Sequence, residues 1–197
     1  MTNLGDITLV IPAYNRPAYL ERQIDFWSAT DVRLCILDGS KDSAPQSLID
    51  RMGPNVYYRH LPIGFNERLV MACDLVQTKY VALLGDDELY APHGLQDCIT
   101  QLEVDERLVA CVGRTMFFFE RDGAIYGHQT YEKSENLEHT YGDSIDRLYE
   151  SLIDITKGPY LLYGLFRSTE WKKAVRVAYG RKYASGYAYE FAFHLIA

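Results

Sequence analysis

Four short apolar runs recur through the first half of the chain, with segments of helical periodicity between them. The runs are Ile7–Ile11, Val32–Leu37, Val56–Arg59 and Tyr80–Leu84. Runs so nearly continuous have no polar face to turn to water, so they predict a parallel sheet covered by helices on both sides. The intervening segments fit that picture. Residues 17–28 carry Tyr19, Leu20, Gln23, Ile24 and Trp27 at helical spacing, with Pro17 where a missing N–H costs nothing. Further helices are expected at 44–51 and 66–77. The order of elements is that of an α/β fold.

The second half breaks the alternation. A helix at 92–103 precedes a strand at 108–112 that is expected to extend through Met116–Phe119. Arg121-Asp122-Gly123 then reads as a hairpin turn into Ala124–Tyr126. Residues 128–142 are polar and turn-rich and read as a loop. A helix at 143–155, a strand at 160–166, a helix at 168–179 and an amphipathic segment from about 187 follow. The chain stops inside that helical segment, so the natural protein is expected to be able to continue beyond it.

Composition narrows the function classes. The chain has 197 residues and a formal net charge of -7, and its sequence pI is about 5.2. Such a balance disfavours nucleic acid and anionic lipid as partners. The nearest approach to a basic patch, Lys172, Lys173, Arg176, Arg181 and Lys182, reads as a solvated helix face. Cys35, Cys73, Cys98 and Cys111 form no C-x-x-C pair and read as buried free thiols of a reducing compartment. No stretch approaches the roughly 20 apolar residues of a membrane span. The expected location is the cytoplasm, with peripheral attachment at the inner face of the membrane left open.

In an open α/β sheet, ligands bind beyond the carboxyl ends of the strands. Three segments fall there: Pro12-Ala13-Tyr14-Asn15-Arg16, Asp38-Gly39-Ser40-Lys41-Asp42 and Gly85-Asp86-Asp87-Glu88. Three consecutive acids repel one another, so they suit either a cation or a solvated turn capping the next helix. Mg²⁺ and Mn²⁺ need only one or two carboxylates, with phosphates and water filling the other positions. Asp38 can accept from a base N–H, and Tyr14 offers a ring for stacking. The five histidines show no metal-ligand spacing.

Taken together, Ile7–Pro17 (ITLVIPAYNRP), Leu37–Ser43 (LDGSKDS) and Tyr80–Glu88 (YVALLGDDE) resemble the family 2 glycosyltransferases. The resemblance implies a GT-A fold: a Rossmann-like, mostly parallel sheet flanked by helices, with a smaller mixed β/α acceptor side. It implies one domain over 1–197, with a nucleotide-sugar half at 1–104 and an acceptor half at 105–197. Pro12, Ala13 and Tyr14 would line the nucleobase pocket beside Asn15 and Arg16, and Asp38 would hydrogen-bond the base. Arg68 lies near the family's arginine, Asp86 would face the ribose or donor sugar, and Asp87 would be the ligand of Mn²⁺ or Mg²⁺. Two departures are Leu37, in place of the first acid of a D-D-G-S segment, and Gly85, where Ala or Thr is frequent.

Late in the chain, Tyr163–Arg167 matches the family's strand–helix unit with an F-R pair, and Tyr189-Glu190-Phe191 matches the helix that carries the general base. Tyr189 replaces a frequent first acid there. Glu190 would then be the base, its basicity raised by the neighbouring Tyr187, Tyr189, Phe191 and Phe193. The implied reaction moves a sugar from a nucleoside diphosphate donor, UDP favoured, to a hydroxyl of a glycan or lipid-linked acceptor, with inversion. The pathway it implies is glycan or polysaccharide synthesis. Two other readings compete: a non-catalytic nucleotide- or glycan-binding module of a larger synthase, and a sugar-1-phosphate nucleotidyltransferase. Against the latter, the chain lacks a Gly-rich triphosphate loop after its first strand.

Overall fold

The computed structural model describes residues 4–130 and 160–197, together with 143, 145, 146 and 149 between them. Its main sheet has six strands: β1 (Ile7–Ile11), β2 (Arg33–Asp38), β3 (Val56–His60), β4 (Tyr80–Leu83), β5 (Ala110–Cys111) and β8 (Leu165–Arg167), in the order β3-β2-β1-β4-β8-β5. Strands β1 to β4 are parallel, with Val10 opposite Cys35 on one side and Leu83 on the other. Strand β8 runs antiparallel to both β4 and β5. Strand β5 therefore points the same way as β4, and both end at the same edge of the sheet.

Six helices are described: α1 (Pro17–Trp27), α2 (Gln46–Ile49), α3 (Phe65–Leu75), α4 (Pro92–Val104), α5 (Ser168–Tyr179) and α6 (Gly186–Ile196). All five residues of β1 are buried. Their alternation divides the core into two layers. Ile7, Leu9 and Ile11 pack with Leu20, Ile24 and Trp27 of α1 and with Leu95, Ile99 and Leu102 of α4. Val10 turns to the opposite layer, among Leu69 and Cys73 of α3, Trp171 and Val175 of α5 and Phe193 of α6. Both sheet faces are covered, as the apolar runs require.

The first half follows its pattern closely; the second departs from it. The expected continuous strand through 108–119 is two strands in different sheets. Strand β5 ends at Cys111, and among the described residues β6 (Thr115–Arg121) pairs only with β7 (Ala124–Thr130) in a separate hairpin. Residues 112–114, which include Gly113, break the run between them. The predicted turn is present: Asp122 and Gly123 have φ of 54° and 75° between paired Arg121 and Ala124. That left-handed pair is the signature of a two-residue hairpin loop. The expected strand at 160–166 is a 3₁₀ turn over Tyr160–Tyr163 followed by the short β8. Gly164 donates back to Leu161 O at 2.9 Å and so separates turn from strand. Residues 128–130, expected in a loop, belong to β7. The rest of the 128–142 loop lies outside the described residues. Of the helix expected at 143–155, Ile145, Asp146 and Tyr149 are helical and most of the remainder is not described.

All four cysteines are free, and three of them are buried. Among the described residues no helix is long and apolar enough to cross a membrane.

Candidate active site

The three segments singled out in the sequence meet at the carboxyl edge of β1, β2 and β4, where hydrogen bonds tie them together. Gly39 N donates to Ala13 O (2.9 Å), joining the loop after β2 to the loop after β1. The Ser40 hydroxyl donates to Asp38 Oδ1 at 2.5 Å and accepts from Asn15 N at 2.8 Å. Asn15 has φ of 54°, a conformation its short polar side chain tolerates better than most residues do. Asp38 is buried, and its second oxygen accepts from the Tyr58 hydroxyl at 2.8 Å. Burial pushes that hydroxyl up to about 12. His60 Nε2 lies 2.8 Å from Ser40 O, so this histidine braces the loop.

Arg68 of α3 is 3% exposed, and its Nη1 donates to Ala13 O and Leu37 O, both at 2.6 Å. One guanidinium thus fastens the ends of β1 and β2. Burial holds its pKa below the ordinary value, opposed by Asp38, Tyr14 and Asp86. Tyr14 itself is 58% exposed, its ring available at the same edge.

The acid triplet divides into three fates. Asp86 is buried and accepts from Arg16 Nη1 at 2.9 Å; the exposed Asp87 accepts from the same nitrogen at 3.0 Å. These two carboxylates raise the Arg16 pKa, with Asp86 the larger influence. Glu88 does not cap the following helix. The N-cap of α4 is Ala91 without a side-chain cap, and Glu88 folds back to accept from Gly85 N at 3.0 Å. A Cβ on Gly85 would lie 2.8 Å from Glu88 Oε2, so a side chain there would require the Glu88 carboxylate to shift. Desolvation raises the pKa of Glu88.

Gln23, which the sequence showed only as part of the helical spacing of α1, proves central to the acid turn. Its fully buried Nε2 lies 3.4, 3.1 and 2.5 Å from the carbonyls of Gly85, Asp86 and Glu88. The signal available beforehand was an amide among the apolar residues of that stripe; its partners, more than sixty residues away, were not readable.

Glu190 lies across the cleft. A cavity of about 400 Å³ is lined by Pro12 and Gly85 on the carboxyl edge of the sheet and by Tyr163, Tyr179, Tyr189 and Glu190 on the far side. Helix α6 begins at Gly186, so Glu190 sits one turn inside it rather than at the helix start. Dipole stabilisation is confined to the first turn and is weak here. Desolvation raises the Glu190 pKa. The aromatic neighbourhood is partly other than expected: Tyr187 is exposed and Phe193 is buried in the core. Neighbours in sequence point to different sides of a helix. Tyr163 and Tyr179 of other elements stand on the cavity wall with Glu190 instead.

Phe166 of the F-R pair packs against that helix, while Arg167 ties β8 to the end of α4 and the loop that follows it. The Phe166 ring meets Phe193 edge-on at 5.3 Å, and Arg167 Nε donates to Leu108 O at 2.8 Å. Tyr189 stacks on Tyr179 at 5.6 Å and accepts from Tyr183 N at 3.1 Å. The His194 ring is turned along its own helix, with Nδ1 2.8 Å from Glu190 O.

Among the described residues no group of three or more His, Cys, Asp or Glu side chains could hold a metal ion. Two carboxylate oxygens, from Asp86 and Asp87, nonetheless converge within 3.0 Å of one cationic atom. That donor set fits a hard cation that takes its other ligands from phosphate and water.

Residues 8–162 match the family model described as glycosyl transferase family 2. Among curated proteins, none matches the chain.

Proposed function

The chain belongs to glycosyl transferase family 2 and is a glycosyltransferase; from that premise we propose that it transfers a sugar, with inversion, from a nucleoside diphosphate sugar to an acceptor hydroxyl. The observation that carries this reading is the cleft itself. Gly85, which opens the acid turn, and Glu190, a half-buried carboxylate of raised pKa, line the same cavity.

The donor side is assigned to residues 1–104. Pro12, Ala13 and Tyr14 frame the base with Asn15, and Asp38 accepts from a base N–H, which suits uracil. Its carboxylate is oriented for this by Ser40 and Tyr58. Arg68 holds the two loops in place, and Asp86 faces the ribose or sugar. Asp87, the exposed member of the pair, would be the protein ligand of Mn²⁺ or Mg²⁺, with Asp86 beside it. Such an ion, when bound, offsets charge developing on the leaving diphosphate. Arg16 neutralises the same two carboxylates and is free to exchange them for the diphosphate.

The acceptor side is assigned to residues 105–197. Glu190 takes the proton of the acceptor hydroxyl as that oxygen attacks the anomeric carbon. A raised pKa keeps the carboxylate basic enough for the task. Among the described residues no second carboxylate lines the cavity beside Glu190, which favours a single displacement. The acceptor class proposed is a glycan or lipid-linked glycan, in glycan or polysaccharide synthesis.

The test is calorimetric binding of UDP, GDP, dTDP and CDP, each with and without Mn²⁺. Tight binding of one nucleotide, lost with chelator or in Asp87→Ala, supports the donor site and names the base. No binding of any of them by folded protein overturns the reading. Slow hydrolysis of the matching nucleotide sugar would separate a transferase from a module that only binds.

A further inference from the structure

The acid turn after β4 carries the proposed metal and sugar contacts, yet no regular secondary structure holds it. Its internal backbone contact is one long bond, Glu88 N to Gly85 O at 3.2 Å. The carbonyls of Gly85, Asp86 and Glu88 turn toward α1, and there one side chain reaches all three. Gln23 is fully buried, and its Nε2 lies within 3.4 Å of all three. The orientation of this amide is fixed chemically. The indole Nε1 of Trp27 can only donate, and it donates to Gln23 Oε1 at 3.1 Å. The amide nitrogen must therefore face the turn. Arg22 Nη2 adds a weaker contact to Asp86 O at 3.3 Å.

We propose that Gln23 is the positioning residue of the acid turn: by gathering its carbonyls against α1 it directs the Asp86 and Asp87 carboxylates outward to one point. The convergence of both carboxylates on the single Arg16 nitrogen is the visible result. An apolar residue at position 23 would fill the same space and keep α1 packed. It would leave Glu88 O without its side-chain donor, and Gly85 O and Asp86 O with only the long contacts from Glu88 N and Arg22 Nη2, so the turn would be free to rearrange. The inference rests on the assignment of Asp86 and Asp87 to the donor site, but the role of Gln23 in ordering the turn does not.

Gln23→Met retains the length and removes the amide. Two measurements are made on the full chain: hydrogen exchange of the segment 84–90, and calorimetric binding of the preferred nucleoside diphosphate with and without Mn²⁺. Gln23→Met is expected to speed exchange in that segment and to weaken Mn²⁺-dependent binding by about 10-fold or more, the loss typical of removing a group that orients metal ligands. Binding without Mn²⁺ should change less than about two-fold. Ile24→Ala, on the same helix and in the core, is the control for lost packing. It should lower thermal stability while leaving the 84–90 exchange and the Mn²⁺ dependence close to wild type. Trp27→Phe removes the indole N–H that orients the amide together with part of a buried ring; with the packing loss read against Ile24→Ala, it should shift both readouts in the direction of Gln23→Met, by less. This variant decides the matter should Gln23→Met not fold. Wild-type exchange and binding in a folded Gln23→Met, or in Trp27→Phe alone if the former does not fold, overturns the proposal. So do equal losses in Ile24→Ala. If wild type itself binds no nucleotide, the donor-site reading fails, and exchange alone still decides whether Gln23 orders the turn.

Discussion

At the donor edge of the cleft, buried polar side chains grip backbone carbonyls: Arg68 holds Ala13 and Leu37, and Gln23 holds the acid turn. On the acceptor side, α6 is held largely by rings, Phe193 against Phe166 and Tyr189 against Tyr179. The two devices respond differently to damage. A buried hydrogen bond has one geometry, and removing its donor strands an acceptor. Ring packing is held by area and tolerates small shifts. The proposed donor edge is thus suited to fixing charge at one place, and the proposed acceptor side to shaping a wall that can adapt to a bound sugar.

The largest effects should come from the two groups proposed to act on the reaction, one on each side. Asp87→Ala is expected to abolish transfer and to remove metal-dependent nucleotide binding. Glu190→Gln should lower kcat by about 10²–10⁴-fold, the usual worth of a general base, while nucleotide binding stays near wild type. Steady-state kinetics and calorimetry on the same preparations check the contrast. Turnover near wild type in Glu190→Gln would remove the acceptor wall from the chemistry and leave the comparison with one active side.

Arg68→Met sharpens the comparison next. It removes the side-chain donor to Leu37 O and one of the two donors to Ala13 O, which keeps its bond from Gly39 N; a stranded buried acceptor costs about 1–3 kcal/mol. The variant should lose stability on that scale in chemical denaturation, and nucleotide affinity with it, with or without Mn²⁺. On the far side, Tyr189→Phe keeps the stacked ring and loses only the hydroxyl that accepts from Tyr183 N. Its cost should be about 1 kcal/mol, with nucleotide affinity unchanged. Comparable losses in the two variants would mean that the acceptor wall is as rigidly bonded as the donor edge.

The same contrast explains what could be read from the amino-acid order. Parallel strands announce themselves as apolar runs, and topology then places Tyr14, Asp38 and Asp86 at one edge without any knowledge of side-chain contacts. The cross-loop bonds were not legible, because Gln23 and Tyr58 find their partners through tertiary folding and carry no local pattern. The second half misled where glycines cut apolar runs. Gly113 lies in the break between β5 and β6, and Gly164 ends a 3₁₀ turn before β8. Apolar content alone does not distinguish a strand in the main sheet from a strand in an exposed hairpin. Glu190 was singled out through the resemblance, but its surroundings were not legible, since residues adjacent on a helix face different ways.

The smallest effect concerns the acceptor wall alone and turns on sign. Desolvation raises the Glu190 pKa in the folded chain, so folding disfavours its charged form. The stability associated with this group is fully present below the unfolded carboxylate value, where both states hold the proton. It is lost as pH rises through the higher folded value, because the unfolded chain ionises first. Glu190→Gln removes the ionisation, so the variant should be slightly more stable than wild type near neutral pH, with the gain vanishing as pH falls below the ordinary carboxylate range. Paired thermal melts from pH 4 to 7.5 check this, and because Glu88 is present in both proteins its own raised pKa cancels in the difference. A Glu190→Gln protein less stable at neutral pH would show that the carboxylate is held by favourable contacts rather than stripped of water. The acceptor wall would then be a bonded structure like the donor edge, with a base weaker than the mechanism asks for.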